Sequence, residues 1–223
     1  MNNVSNIVKK LIPERYHKSL IDLKDLILYK GEKVSRKNRR VIETLLRDNK
    51  PIKLELSAGT PRGMNGWTTI DWNHKCDIRL DLSRPLPFPD NCVSMIYSSH
   101  LLEHFSYPSP MTELLAECHR ILKPRGIFSI AVPNARIYLN AYFEPEKFDY
   151  RGNCKPTFRY RSKIDYVNYI AYMEGHHSYM FDEENLLVIL ADAGFKNVRI
   201  RDFDPDLDVE SQRHLTIYAE GEK

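Results

Sequence analysis

The sequence predicts an α/β fold with a doubly wound, mostly parallel sheet. From Ile52 onward, short apolar runs typical of strands alternate with helical runs, which is the pattern of consecutive βαβ units. Between Leu54 and Pro133, polar residues end one apolar run after another. Ligands of such sheets bind in the crevice beyond the carboxyl ends of the strands, so these polar side chains are expected to line a small-molecule site.

Four strands are predicted in the first half of this region, each with a polar residue at or near its carboxyl end. They are residues 52–56, with Glu55 near the end; 68–70, closed by Asp71; 78–80, closed by Asp81; and 93–97, followed by Ser98, Ser99 and His100.

Two helices and three further strands complete the predicted order. A helix is expected from near Pro110 to near Ile121, with leucines on one face and a turn at 123–126 that contains Pro and Gly. The fifth strand covers 127–132, a helix covers 183–193, and the runs 198–200 and 215–218 are predicted to be antiparallel closing strands.

Length and composition are those of one domain with additions. The 223 residues, 42% hydrophobic and 28% charged, suffice for one substantial core. No run reaches the roughly 18 apolar residues of a membrane span, and the amino terminus lacks a secretory signal, so a cytoplasmic protein is expected. The four cysteines stand far apart, which predicts no metal site through them.

Residues 1–50 are predicted to form a basic, helical N-terminal extension, and 51–223 the main domain. The extension has 13 Lys or Arg and 6 Asp or Glu, a net charge of +7, whereas the rest of the chain has 20 and 24, a net charge of −4. A basic amphipathic segment can make peripheral contact with an anionic membrane or a nucleic acid. A solvated helix face is the favoured alternative, and the oligomeric state cannot be read from the sequence.

The segment 134–181 is predicted to be an insertion that covers the substrate. It contains eight of the thirteen tyrosines, with arginines between them. Connections this long in a compact domain are usually functional, and tyrosine and arginine suit an acceptor that has sugar or phosphate groups. The alternative is a lid whose aromatic rings merely pack on the edge of the sheet.

Five motifs in this order resemble class I S-adenosylmethionine-dependent methyltransferases, and among them the small bacterial members found with polysaccharide and glycan biosynthesis. The motifs are Leu54-Glu55-Leu56-Ser57-Ala58-Gly59, Gly66-Trp67-Thr68-Thr69-Ile70-Asp71, Asp81-Leu82 with residues 85–91, His100-Leu101-Leu102-Glu103-His104, and Leu122-Lys123-Pro124-Arg125-Gly126. The resemblance covers about residues 52–220. It implies a Rossmann-like sheet of seven strands and S-adenosylmethionine as co-substrate.

The resemblance also implies roles for particular residues. Asp71 would accept hydrogen bonds from the ribose hydroxyls of the donor, and Asp81 would accept one from the adenine amino group. The implied donor site comprises Glu55, Ser57, Gly59, Asp71, Trp72, Asp81, Leu82 and Ser98.

The loop after the first strand departs from the family pattern. Ser57 and Pro61 replace the first and third glycines of a loop that is usually glycine-rich, and only Gly59 remains. Glycine allows a ligand to approach the backbone closely and allows positive φ, so these replacements narrow the space for the donor beside the loop. The connection to the second strand is also short, which leaves little room for the usual helix. A degenerate, non-catalytic member that acts as a binding or assembly partner is therefore the alternative.

Methyl transfer to a hydroxyl of a sugar, glycolipid or other small acceptor is the predicted reaction. Such a hydroxyl must lose a proton, and His100 and His176 are the candidate catalytic bases, with His177 in reserve. Each of the two has a structural alternative. His100 would belong to an ordered loop, and His176 would anchor the lid through a hydrogen bond. A nucleic-acid acceptor is disfavoured because Ser98-Ser99-His100 stands where amine-methylating members have an Asn/Asp-Pro-Pro-aromatic signature.

Overall fold

The structure is a computed structural model that describes residues 35–48, 50–59, 64, 66–147 and 161–223. Most of the predicted extension 1–50, together with Pro61, lies outside the described residues. Residues 40–223 form one compact unit. None of the helices in the described ranges has the length and apolar character that crossing a bilayer requires.

Seven strands of the described chain form a single sheet. They are β1 (Ile52–Leu56), β2 (Thr68–Asp71), β3 (Ile78–Arg79), β4 (Val93–Ser99), β5 (Leu122–Pro133), β6 (Lys196–Ile200) and β7 (Thr216–Glu222). Their order across the sheet is β3-β2-β1-β4-β5-β7-β6. Strands β1 to β5 pair in parallel, and β7 pairs antiparallel with both β5 and β6. The predicted doubly wound, mostly parallel sheet with an antiparallel closing strand is confirmed.

The chain order reverses between β1 and β4, which are neighbours in the sheet. From β1 the chain continues to β2 and β3 on one side, and β4 and β5 lie on the other. Leu56, the last residue of β1, pairs in register with Ser98 of β4. The crevice outside such a reversal is where doubly wound sheets bind ligands.

Five α-helices lie in the described residues. They are α1 (Arg36–Arg47), α2 (Met111–Ile121), α3 (Ala135–Phe143), α4 (Ile164–Tyr172) and α5 (Glu183–Asp192). The predicted bounds of α2 and α5 are confirmed to within a residue. α5 begins where the Asp182 side chain accepts the Asn185 N–H, and it ends before Gly194, which has a φ of 95°.

Strand β5 starts earlier than predicted. Leu122 already pairs with Val93, and regular pairing resumes where Ile127 meets Met95. The predicted turn at 123–126 is therefore an irregularity inside the strand, with Arg125 at a φ of 64°. The Arg125 N–H donates to the Lys223 carbonyl, so β7 satisfies the backbone that leaves the ladder.

The segment 134–181 contains two helices that the sequence analysis left unassigned. α3 and α4 bury apolar faces against each other, and their shared core consists of Ala135, Tyr138, Ala141, Tyr166 and Ile170. These residues recur three or four positions apart on each helix, which places them on one side. Asn134 begins α3 by accepting the Arg136 N–H with its side chain.

Candidate functional site

The predicted donor-binding residues lie along one edge of the sheet, at the carboxyl ends of four adjacent strands. Asp81 follows β3, Asp71 ends β2, Ser57 follows β1, and Ser98 lies next to last in β4. Neighbouring strands are about 4.8 Å apart, so this row spans about 14 Å. That length suits an extended small molecule that has different polar groups along it.

Asp71 organises the loop after β1. Its Oδ2 accepts the Gly59 N–H at 3.0 Å, and its Oδ1 accepts the Asn73 N–H at 2.7 Å. The Asn73 side-chain amide donates back to the Gly59 carbonyl at 2.7 Å. A carboxylate has about four acceptor positions, so both oxygens keep room for a further donor.

The loop after β1 keeps the left-handed backbone conformation that glycine favours, although Ser57 replaces a glycine. Ser57 has a φ of 57° and Gly59 a φ of 56°, both in the left-handed region. Among the described residues other than its chain neighbours, no heavy atom lies within 4 Å of the position that a Cβ on Gly59 would occupy. Residues 57–59, 64, 66 and 67, the described part of the connection to β2, contain no helix. The left-handed conformation of Ser57 costs about 1–2 kcal/mol, whereas glycine adopts this conformation without strain.

Trp72 and Asp81 present their side chains at the ends of β2 and β3. The Trp72 ring is partly exposed, and the Arg79 guanidinium lies 4.8 Å from its centroid. Asp81 Oδ1 accepts both the N–H and the hydroxyl of Ser83, at 3.0 and 2.6 Å. Asp81 Oδ2 lies 3.7 Å from Arg84 Nε. Leu82 is buried beside them.

Two predicted site residues are buried at the strand reversal. Glu55 of β1 is 3% exposed, and Ser98 of β4 is fully buried. The Ser98 hydroxyl has no hydrogen-bond partner among the described residues. Buried hydroxyls usually have partners, and those that have none in the protein often meet a ligand. This hydroxyl and the acceptor positions left on Asp71 fit a nucleoside donor at this edge.

His100 leaves the end of β4 in a left-handed conformation, with a φ of 51°. Its Nε2 lies 3.0 Å from the Thr216 hydroxyl, and its Nδ1 lies 3.7 Å from Glu103 Oε1. Burial, and then the neighbouring His177 and His104, lower the pKa of His100 to about 4. Burial raises the pKa of Glu103 to about 8. Both groups are neutral at pH 7, so their contact is not an ion pair.

The side chains of two more histidines, His104 and His177, lie close to Glu103. His104 Nδ1 lies 2.7 Å from the His176 carbonyl, and His177 Nδ1 lies 2.8 Å from the Ile170 carbonyl. The Glu103 carbonyl accepts the N–H groups of residues 178 and 179, which attaches this later segment to the 3₁₀ turn Leu102–His104. The imidazole of His176 is exposed, whereas that of His177 is buried. The catalytic role of His176 stays a prediction.

A cavity of about 240 Å³ adjoins His100 on the side of β5 and β7. α3 and α4 form one wall, and the segment before β7 forms the other. The lining combines aromatic and aliphatic side chains with a hydroxyl and an amide, which is the usual composition of a small-molecule pocket. The lining residues are His100, Pro133, Tyr138, Tyr169, Ile170, Met173, Ser211, Gln212 and Leu215.

A buried ion pair attaches the segment 201–215 to the sheet. Arg201 donates to both carboxylate oxygens of Asp208, at 2.6 and 2.7 Å, and to the Ser129 hydroxyl at 2.9 Å. The Tyr97 hydroxyl donates to Asp208 Oδ1 at 3.0 Å. The same segment supplies Ser211 and Gln212 to the cavity, so this network positions one of its walls.

Sequence reasoning found the strand-end carboxylates. It missed the cavity wall formed by the segment before β7, and it missed the grouping of Glu103, His104 and His177. The spacing of Glu103 and His104 was visible as part of a motif. His177 comes from a distant segment, and no local pattern indicates where that segment returns.

The chain matches known proteins in sequence and in fold. A family model described as a methyltransferase domain matches residues 32–200. A SAM-dependent methyltransferase from Archaeoglobus fulgidus is 17% identical, with 83% of this chain and 90% of that protein covered and a TM-score of 0.50. An S-adenosylmethionine-dependent methyltransferase from Mesorhizobium loti is 15% identical over 85% of this chain and 99% of that one, with a TM-score of 0.49. Among curated proteins there is no match.

Proposed function

Because the chain belongs to the methyltransferase-domain family and uses S-adenosylmethionine as co-substrate, we propose that it methylates a hydroxyl of a sugar, glycolipid or other small acceptor bound in the cavity beside His100. Family membership favours an enzyme over a non-catalytic binding partner. The bound donor supplies an electrophilic methyl group on a sulfonium. The protein contributes proximity and orientation, which can be worth about 7–11 kcal/mol.

The donor would lie along the strand ends from β3 to β4. Asp81 and Leu82 would bind the adenine, Asp71 the ribose hydroxyls, and the loop at Ser57 and Gly59 the methionine part. Trp72, Glu55 and Ser98 would complete this site. The conformation of the loop supports this assignment, because Ser57 and Gly59 both adopt the positive φ that close approach to a ligand requires.

The position of the cavity is the observation that supports a small acceptor. His100 follows β4, beside the strand reversal, and also lines the cavity, so the two binding regions meet at this residue. A volume of about 240 Å³ suits a molecule of the size of a monosaccharide. Tyr138 and Tyr169 offer flat apolar surfaces, and Gln212 offers an amide, as sugar binding needs.

His100 is proposed to orient the acceptor hydroxyl. With its pKa lowered to about 4, the imidazole is neutral at pH 7 and keeps a nitrogen lone pair. It is a weak base, because general base catalysis is most effective when the pKa is near the working pH. A hydrogen bond to the acceptor is therefore its main proposed contribution. His176 remains a second candidate from the same region.

The motif resemblance to members found with glycan biosynthesis supports a sugar-containing acceptor. The test is S-adenosylhomocysteine release with nucleotide sugars, monosaccharides and glycolipids, compared with amines and RNA. The wild type is expected to release S-adenosylhomocysteine when the acceptor is a sugar hydroxyl. Gln212→Ala should lose this activity while its affinity for the donor stays unchanged. Transfer only to amines or RNA would contradict the proposal. His214→Ala, an exposed residue near the cavity segment, is the matched control.

A further inference from the structure

Glu103, His104 and His177 bring three potential ligand atoms together next to His100. Among the described residues, one carboxylate oxygen and one nitrogen from each ring lie within 4.8 Å of one another. His104 Nε2 is 3.9 Å from Glu103 Oε1, which is too long for a hydrogen bond. The two rings meet edge to face with centroids 5.4 Å apart. The three groups therefore converge without bonding to one another.

The hydrogen bonds of the two imidazoles determine which nitrogen is available. His104 Nδ1 faces the His176 carbonyl at 2.7 Å, and His177 Nδ1 faces the Ile170 carbonyl at 2.8 Å. A carbonyl only accepts, so each Nδ1 must hold the proton and donate it. In the neutral ring, Nε2 then has a free lone pair. Metal-binding histidines are usually fixed in this way, by donation from the other ring nitrogen to a backbone carbonyl or carboxylate.

Glu103 supplies a buried carboxyl between these lone pairs. The residue is 1% exposed, and neither of its carboxylate oxygens accepts a hydrogen bond from another described residue. A cation bound beside this carboxyl would offset the cost of burying it as a carboxylate.

We propose that Glu103, His104 and His177 bind a divalent first-row transition-metal ion through one carboxylate oxygen and two Nε2 atoms. Two imidazoles with one carboxylate favour ions such as Zn²⁺, Mn²⁺, Fe²⁺ or Co²⁺ over Mg²⁺ and Ca²⁺, which prefer oxygen ligands. With bonds of about 2.1 Å, ligand atoms at a tetrahedral angle are about 3.4 Å apart. The observed distance of 3.9 Å between His104 Nε2 and Glu103 Oε1 would therefore contract by about 0.5 Å. His104 is exposed, so the remaining coordination positions face solvent.

The position of the ion suggests a role in the reaction, and this part rests on the proposed function. Ile170 and His100 border both the ligand cluster and the acceptor cavity. An ion there would lower the pKa of an acceptor hydroxyl bound to it. The hydroxyl oxygen then forms a bond to the methyl carbon, the carbon–sulfur bond breaks with its electron pair on sulfur, and the hydroxyl proton leaves to solvent. The ion would thus activate the hydroxyl for transfer.

Titration of the full chain with Co²⁺, followed by visible absorption and by thermal melting, tests the site. The wild type is expected to bind one ion per chain and to melt at a higher temperature with Co²⁺ present, because a ligand of the folded state stabilises it. A tenfold excess of Mg²⁺ should not displace Co²⁺. Absence of both changes at millimolar Co²⁺, or displacement by Mg²⁺, would overturn the proposal.

Two variants separate metal binding from folding. His104→Asn and His177→Asn place an amide N–H where Nδ1–H was, so each keeps the hydrogen bond to its carbonyl but loses Nε2. Loss of a supporting partner of a ligand costs about 10–100-fold in metal affinity, so loss of a ligand should cost about 100-fold or more. His119→Asn, at a histidine that packs on Phe195, should bind Co²⁺ like the wild type. Equal affinity in wild type and both ligand variants would contradict the site.

Calorimetry with S-adenosylhomocysteine, with and without Co²⁺, distinguishes the two proposals. If Co²⁺ binds and the nucleoside does not, the metal site stands and the enzymatic role fails. If the nucleoside binds and Co²⁺ does not, the metal site is wrong and the methyltransferase assignment is unaffected.

Discussion

The carboxylate of Asp71 accepts the backbone N–H of Gly59 at 3.0 Å. One bond thus joins the end of β2 to the loop that follows β1, across the edge where the donor is proposed to lie. The acidic residue has two functions in this account, because it holds the loop in a left-handed conformation and keeps acceptor positions for a ribose.

Asp71→Ala is expected to weaken S-adenosylhomocysteine binding by at least about 10-fold. It removes hydrogen bonds between a charged group and the ribose, each worth about 1.5–3 kcal/mol, and releases the Gly59 N–H. Calorimetry measures the effect. Asp90→Asn, before β4 at the opposite edge of the sheet, should leave the affinity unchanged. Wild-type affinity in Asp71→Ala would mean that the ribose binds elsewhere.

Asp81→Asn should reduce discrimination between adenine and hypoxanthine nucleosides. The adenine amino group donates a hydrogen bond to the carboxylate, whereas the hypoxanthine ring presents an oxygen there that a carboxylate repels. The wild type should therefore bind S-adenosylhomocysteine more tightly than its inosine analogue. In Asp81→Asn the side-chain amide can donate a hydrogen bond, so the ratio of the two dissociation constants should move closer to one. An unchanged ratio of the two dissociation constants would remove Asp81 from the adenine site.

Ser57→Gly should stabilise the protein slightly and leave donor affinity equal or higher. Left-handed strain of about 1–2 kcal/mol is relieved, and the greater entropy of glycine in the unfolded chain takes back about 0.4–1 kcal/mol. The net gain, between about 0 and about 1.6 kcal/mol, is measurable by urea unfolding. Ala58→Gly, next to it and not at positive φ, should instead destabilise. The same sign in both variants would contradict the strain at Ser57.

Asp208→Asn should lower the free energy of unfolding by about 3–5 kcal/mol. It leaves the buried Arg201 guanidinium without its bidentate partner, and removal of one member of a buried pair costs that much. Tyr97→Phe removes a single hydrogen bond to the same carboxylate and should cost about 1.5–3 kcal/mol. Urea unfolding checks both, with the exposed Asp206→Asn as control. Equal stability of Asp208→Asn and the control would show that the network contributes little.

Sequence reasoning predicted the sheet because strand periodicity and chain order are local signals. Runs such as 52–56 and 68–70 have the apolar content of buried strands, and Asp71 and Asp81 mark their ends. Once the strands are parallel, their carboxyl ends lie at one edge, so the proposed donor site follows from topology without any contact being known.

The rest depends on contacts between distant segments. His177 approaches Glu103 because the Glu103 carbonyl accepts the N–H groups of Ser178 and Tyr179. Asp208 forms an ion pair with Arg201 and accepts a hydrogen bond from the buried Tyr97 hydroxyl. Neither arrangement has a repeat or spacing that a single sequence displays. The irregular start of β5 was missed for a related reason, because the carbonyl of Lys223, the residue after β7, accepts the Arg125 N–H.

Calorimetric titration of the wild-type protein with S-adenosylhomocysteine tests the central claim most directly, because it asks only whether strand-end carboxylates bind the nucleoside. Micromolar affinity with one site per chain is predicted. No heat of binding at millimolar nucleoside, from protein that melts cooperatively, would contradict the account.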